Sequence, residues 1–205
     1  MTEAQRSLTG AIVLAAGASS RMGSPKQLLE IDGVPLVVRT VETLLSAPVW
    51  PVVVVLGANA APLRPLLARY PVLLTDNAAW PEGMASSIRA GITTLRQFSR
   101  DLTGAVITVC DQPALVPRHL TALLAAPIAA GRTMAAARYR DRLGVPAFFA
   151  RDHFPALQAL TGEEGARTLL NRDPALVAAV DLPELALDLD TPADYAALRA
   201  QKPAP

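Results

Sequence analysis

The sequence is poor in the residues that most often carry covalent, thiol or metal-cluster chemistry. Cys110 is the only cysteine in 205 residues, so there is no internal disulfide and no cysteine-based metal cluster. His119 and His153 are the only histidines; they are not spaced as metal ligands, and no Ser-His-Asp order stands out. A net charge of +1 argues against a general nucleic-acid binder. No apolar run reaches membrane-spanning length, and Met1 to Thr9 is too short and polar for a signal peptide, so a cytoplasmic protein is expected. Lysine is scarce as well: it occurs only at Lys26 and at Lys202, in a Pro-rich tail, and every other cationic side chain is arginine.

Apolar residues make up 51% of the chain, enough for one domain, 1–205, with a sizeable core. Apolar runs alternate with helical patterns, which predicts an α/β fold in three layers around a mainly parallel, mixed sheet. Strands are expected at Ala11–Ala16, Pro51–Leu56, Val72–Thr75, Ala105–Cys110, Thr133–Tyr139 and Gly144–Ala150, with short strands or loops at Val177–Val180 and Leu185–Leu189. Helices are expected at Pro35–Ala47, with Pro35 in its first turn, and at Ala61–Arg69, Met84–Phe98, Pro117–Ala126, Phe154–Leu160, Gly165–Leu170 and Pro192–Ala200.

One stretch organises the rest. Leu14 to Lys26 reads L-A-A-G-A-S-S-R-M-G-S-P-K, a small-residue loop after the first apolar run. Gly17, Ala18, Ser19 and Ser20 let backbone N–H groups approach an anion closely. Arg21 can grip phosphate bidentately, and Lys26 is a compact point charge. The loop is thus suited to polyphosphate. It is neither of two familiar glycine loops: Gly17 and Gly23 are one residue too far apart for G-x-x-x-x-G-K-[ST], and Ala18-Ser19 does not continue G-x-G-x-x-G. The second strand ends in Gly57-Ala58-Asn59, without the acid that would bind a dinucleotide ribose.

Four other clusters carry chemistry. Asp111 follows the buried run A-V-I-T-V-C, where a carboxylate is either a metal ligand at the ligand crevice or a turn and capping aspartate. Asp188 and Asp190 alternate with Leu187 and Leu189, and Asp190-Thr191 also makes a good helix start. Asn77 and Gly83-Met84-Ala85-Ser86-Ser87 place a glycine and hydroxyls at a helix N-terminus, either a polar-ligand site or only a first helical turn. Gly144-Val145-Pro146 and Gly162-Glu163-Glu164-Gly165-Ala166-Arg167 complete the set, with Arg167 either a phosphate ligand or a surface arginine.

The first loop matches L-A-A-G-x-S-x-R-M-G-x-x-K at every fixed position. In this the chain resembles nucleotidyltransferases of the Rossmann-like, GT-A-type fold, and within them the molybdenum cofactor cytidylyltransferases of the MobA/MocA type. The resemblance runs in order from Ala11 to Tyr195. It implies transfer of a nucleotidyl group from an NTP to a phosphorylated acceptor, with pyrophosphate released. It assigns nucleotide binding to Leu14, Ala15, Ala16, Gly17, Ala18, Ser19, Ser20, Arg21, Lys26, Asn77, Gly83 and Ser87. Arg21, Lys26 and Asp111 would be catalytic, Asp111 and Asp190 would hold Mg²⁺, and Gly144, Pro146, Glu163 and Arg167 would meet the acceptor. Glu163 stands where the family has aspartate, which keeps the charge and lengthens the reach. Ala16 puts a methyl where guanylyltransferase relatives have glycine, so the implied substrates are CTP and molybdopterin (or Mo cofactor), with a molybdenum hydroxylase apoenzyme as a further partner. Another NTP, a sugar- or polyol-phosphate acceptor, a non-catalytic cofactor chaperone and an NAD(P)-dependent oxidoreductase are the alternative readings.

Overall fold

The computed structural model describes residues 8–200. Seven strands form one sheet in the order β5-β4-β1-β6-β8-β7-β9. They are β1 (Leu8–Ala15), β4 (Val52–Leu56), β5 (Leu73–Asp76), β6 (Leu102–Val109), β7 (Met134–Tyr139), β8 (Arg142–Ala150) and β9 (Val177–Asp181). Only β8 runs against its neighbours; β5, β4, β1 and β6 are parallel, as are β7 and β9. The expected mixed, mainly parallel sheet is therefore present.

The period of two along the strands builds two cores. Ala11, Val13 and Ala15 face one side with Val52, Val54 and Leu56; there they pack on α1 (Leu36–Leu45), α2 (Ala60–Leu67) and α4 (Pro117–Ala130). Ile12, Val53 and Val55 face the other side, packing on α3 (Met84–Phe98), α5 (Phe154–Gln158) and α6 (Ala166–Arg172). Because both faces of β4 are covered, its sequence is an unbroken apolar run, V-V-V-V-L, and every residue is buried.

Some expected boundaries shift. Pro35 ends a two-residue strand, β3 (Val34–Pro35), which pairs with β2 (Glu30–Ile31), so α1 starts one residue after it. Leu185–Leu189 is not a strand: a 3₁₀ turn covers Pro183–Ala186, and an irregular segment leads to α7 (Pro192–Ala200). Met1–Ser7 of the expected lead-in, and Lys202, lie outside the described residues. Among the described residues no helix is long and apolar enough to cross a membrane.

Candidate active site

β1 delivers the glycine loop to the carboxyl end of the parallel strands, and a buried amide then fixes it. Gln27, 1% exposed, is the middle residue of the 3₁₀ turn Lys26–Leu28 and points back under the loop. Its Nε2 donates to the carbonyls of Ala15 (3.1 Å) and Gly17 (2.8 Å), and its Oε1 accepts from Ser19 Oγ (3.3 Å). Asn59 Nδ2 also donates to the Gly17 carbonyl, at 3.2 Å. Ser19 takes a left-handed φ of 57°, and its Oγ accepts the Lys26 N–H at 3.0 Å. The loop is thereby tied at both ends, and the Lys26 stem leaves it from a fixed point.

The Lys26 side chain reaches both carboxylates singled out in the sequence. Its Nζ pairs with Asp111 Oδ2 and lies 3.3 Å from Asp190 Oδ1. Arg21 Nη2 meets the other Asp190 oxygen at 3.2 Å. Burial works against the Lys26 charge, but Asp111 and then Asp190 outweigh it and hold the ammonium above its ordinary pKa. Asp188 stands beside this group; burial and the Asp111 charge raise its carboxyl above the usual carboxylate range.

The path of the C-terminal segment explains why Asp190 is there. The Leu189 N–H donates to the Asp111 carbonyl at 3.1 Å, and Leu189 is buried with Ile31 and Leu36. Asp194 Oδ2 accepts the N–H groups of Asp190 (3.2 Å) and Thr191 (2.7 Å), while Thr191 Oγ receives the Asp194 N–H at 3.3 Å. This reciprocal cap starts α7 and orients Asp190 together, so helix start and site carboxylate are compatible roles for one segment.

The donor set suits a hard divalent cation. Asp111 is 8% exposed, and its buried Oδ1 has no hydrogen-bond partner. Among the described residues no three His, Cys, Asp or Glu side chains are placed to hold a metal together. Asp111 and Asp190 could hold such a cation together with phosphate oxygens of a bound ligand, since one or two carboxylates are all that a phosphate-bound Mg²⁺ takes from a protein.

The facing wall brings together two motifs nearly 80 residues apart. The Ala85 N–H donates to the Gly162 carbonyl at 3.1 Å, and a Cβ on Gly165 would stand 2.8 Å from Met84 Sδ. The cleft between this wall and the loop is about 320 Å³. Leu14, Ala16, Gly17, Ala18, Lys26, Gly83, Ser87, Asp111 and Glu163 all line it, as does Trp80. A second cleft of about 450 Å³ shares Leu14, Met84, Val109 and Glu163 with the first and extends past Gly144 and Arg167. There Arg167 Nε donates to the Leu143 carbonyl at 3.0 Å, and a Cβ on Gly144 would come within 3.4 Å of Arg167 Nη2 and 2.4 Å of Tyr139 Oη.

Other residues named from the sequence stand back from the cavity walls. Asn77 is buried, and its Nδ2 donates to Ser86 Oγ (2.8 Å) and Ser87 Oγ (3.1 Å), so it anchors the first turn of α3. Ala15, Ser19, Ser20, Arg21, Pro146 and Asp190 do not line either cleft, although Arg21 and Asp190 join the ion-pair cluster at its edge. Gln27, Asn59 and Asp194 had no role assigned from sequence; of these, only Asp194 left a signal, the T-x-x-D spacing of a helix cap.

Cys110 also lines the cleft, as a buried thiol that favours its protonated form. Burial, and then the Asp111 charge, push its thiol up to about 12. In the native protein it should therefore resist alkylation at pH 8 and label only after denaturation; labelling at the rate of a free thiol would contradict this burial.

The model of the MobA-like NTP transferase domain matches residues 11–178. The purine catabolism protein PucB of Bacillus subtilis (strain 168) is 31% identical over 92% of this chain and 94% of its own length. Nicotine blue oxidoreductase of Paenarthrobacter nicotinovorans is 33% identical over 83% and 85%. The 2-aminoethylphosphonate cytidylyltransferase of Lancefieldella rimae is 32% identical, over 54% of this chain and 48% of its own. Rv0371c of Mycobacterium tuberculosis H37Rv superposes with a TM-score of 0.81 at 27% identity, covering 96% of this chain and 100% of its own. Its complex with manganese gives 0.74 at 25%, covering 94% and 97%. The glycine-loop motif, a family model that matches residues 11–178 and a relative aligned over 94% of its own length agree: the chain belongs to the MobA-like NTP transferase family.

Proposed function

We propose that the protein is one nucleotidyltransferase domain, 1–205, that transfers CMP from CTP to molybdopterin or the Mo cofactor in the cytoplasm and releases pyrophosphate. The observation that carries this reading is the Lys26 clamp: an ammonium carried by the glycine loop meets Asp111 in the wall of the first cleft and Asp190 beside it. The acceptor phosphate oxygen attacks the α-phosphorus of CTP, a phosphoanhydride bond forms, and the bond to pyrophosphate breaks. No protein nucleophile is needed. Arg21 and Lys26 take up charge on the departing phosphates, and Arg167 orients the acceptor. Asp111 and Asp190 would hold Mg²⁺, which supplies Lewis-acid neutralisation of the α-phosphate. Manganese in the Rv0371c complex supports a divalent cation.

Cytidine is favoured by Ala16 and by the relative named a cytidylyltransferase. Ala16 lines the cleft, and a Cβ on Gly57 would stand 2.7 Å from its methyl, so this small residue sits in a tight wall. Ala16→Gly should reduce the preference for CTP over GTP by roughly ten- to a hundredfold, read as the ratio of kcat/KM values. An unchanged ratio would remove Ala16 from base selection. Xanthine is a purine, so the name of PucB accords with service to a xanthine-type hydroxylase.

A second reading has one observation behind it, the relative named an oxidoreductase. Against it stand the loop, which is not G-x-G-x-x-G, and Gly57-Ala58-Asn59 after β4 in place of a ribose-binding acid. The test is pyrophosphate release with Mg²⁺ and molybdopterin, comparing CTP, GTP and ATP, beside NAD(P)H absorbance. Release with CTP is expected. Consumption of NAD(P)H without release would establish the second reading. Molybdopterin binding without release or redox turnover would instead indicate a chaperone.

A further inference from the structure

We propose that Lys26 makes the site select a divalent metal already bound to a triphosphate over the free metal ion. The inference rests on the nucleotidyl-transfer reading and concerns what the chain's own cation does to the carboxylates. Asp111 and Asp190 share one ammonium, and Asp190 has Arg21 as well. Asp111 and Asp190 are thus each paired with a cation, and although Asp188 stands beside them, this pairing weakens the pull of the group on a bare metal ion. To bind there, a free ion must push the ammonium away from both oxygens. Lys26 is only 22% exposed along its side chain, so water gives it poor compensation when it leaves.

A triphosphate changes this balance. Its oxygens give the ammonium a new set of acceptors while supplying ligands to the metal, so the exchange keeps every charge paired. The stem must then move a short way between two anionic partners. A lysine does this with a point charge on a flexible chain, whereas an arginine would lock a carboxylate bidentately. Lysine is used nowhere else among the described residues, whose carboxylate pairs are otherwise made by arginine or histidine. The partnerless Asp111 Oδ1 marks the side from which a metal can still be accepted.

The experiment follows the metal and the lysine separately. Mn²⁺ binding would be measured calorimetrically, without and with CTP, on the wild type, Lys26→Met and Asp111→Asn. Lys26→Met should bind free Mn²⁺ on the order of tenfold more tightly than the wild type, and Asp111→Asn should abolish that binding. The wild-type protein offers an independent measure that needs no variant to fold. With lysine carrying ¹³C at Cε, only Lys26 and Lys202 give signals. Millimolar Mg²⁺ alone should leave the Lys26 resonance unmoved, and Mg²⁺ with CTP should shift it. Free Mn²⁺ bound equally well by wild type and Lys26→Met, or a Lys26 resonance moved fully by Mg²⁺ alone, would overturn the inference and leave the transferase reading standing. Failure of Mn²⁺ to bind any of the proteins even with CTP would instead remove the metal reading itself.

Discussion

Asp111→Asn should lower the kcat for pyrophosphate release by about 10²- to 10³-fold, the loss usual when a preorganised electrostatic group is removed from a charge-developing centre. The substitution keeps the size of the side chain and most of its packing. It removes the one carboxylate that lies both at the end of β6 and against the Lys26 ammonium. The backbone stays in place because Leu189 is held by the carbonyl of residue 111 and not by its side chain, and the Lys26 ammonium, losing Asp111, keeps Asp190 as a partner. Circular dichroism and the thermal midpoint should therefore stay close to wild type while turnover collapses. Turnover within a few-fold of wild type would displace Asp111 from the centre of the site, and Asp190 or Asp188 would have to carry the role. A collapse of the fold together with activity would show that the charge balance with Lys26 is structural. Varying Mg²⁺ separates affinity from chemistry: a loss that high Mg²⁺ largely restores is a loss of metal binding, whereas one that persists lies in the transition state.

Local rules reached the frame and the loop, and non-local contacts limited the rest. α3 was legible at both ends because Pro81 and Gly83 punctuate its start and the apolar face of Ile88, Ile92 and Leu95 keeps the helical period. The start of α7 was legible for the same reason, from Thr191-Pro192. The β2–β3 hairpin was not, since two-residue strands are too short to show alternation. Its one local signal is Asp32-Gly33, whose φ values of 55° and 74° are those of a tight hairpin turn. Gln27 looked like an ordinary polar position before two leucines; its burial depends on carbonyls of Ala15 and Gly17 that the loop turns inward. The Lys26–Asp111 pair spans 85 positions. Sequence could name both partners for phosphate and metal, but it could not bring them into contact.

Gly83→Ala should be the most damaging substitution for stability among the glycines of the site, at about 3 kcal/mol or more. Two independent costs coincide there. The backbone has φ 120° and ψ −174°, a region that side chains with a Cβ rarely enter. A Cβ would also stand 2.4 Å from the Gly162 carbonyl oxygen and 2.9 Å from the Glu163 nitrogen, and both are backbone atoms that cannot rotate away. Relief requires the 162–165 segment to withdraw from the start of α3. That movement breaks the Ala85 N–H to Gly162 carbonyl bond and draws Glu163 out of both clefts. Gly23→Ala and Gly162→Ala serve as controls, because φ is +72° and +56° there and nothing lies within 4 Å of either added Cβ. They should cost only the left-handed penalty of about 1 kcal/mol. Urea midpoints for the three variants would separate strain from collision. A Gly83→Ala midpoint no lower than the controls would mean that the two motifs can part freely, and that their contact does not hold the cleft together. If the contact does hold it, the KM for the acceptor should rise even at temperatures where Gly83→Ala remains folded, since Glu163 sits on the segment that must move and Arg167 follows it in the first turn of α6.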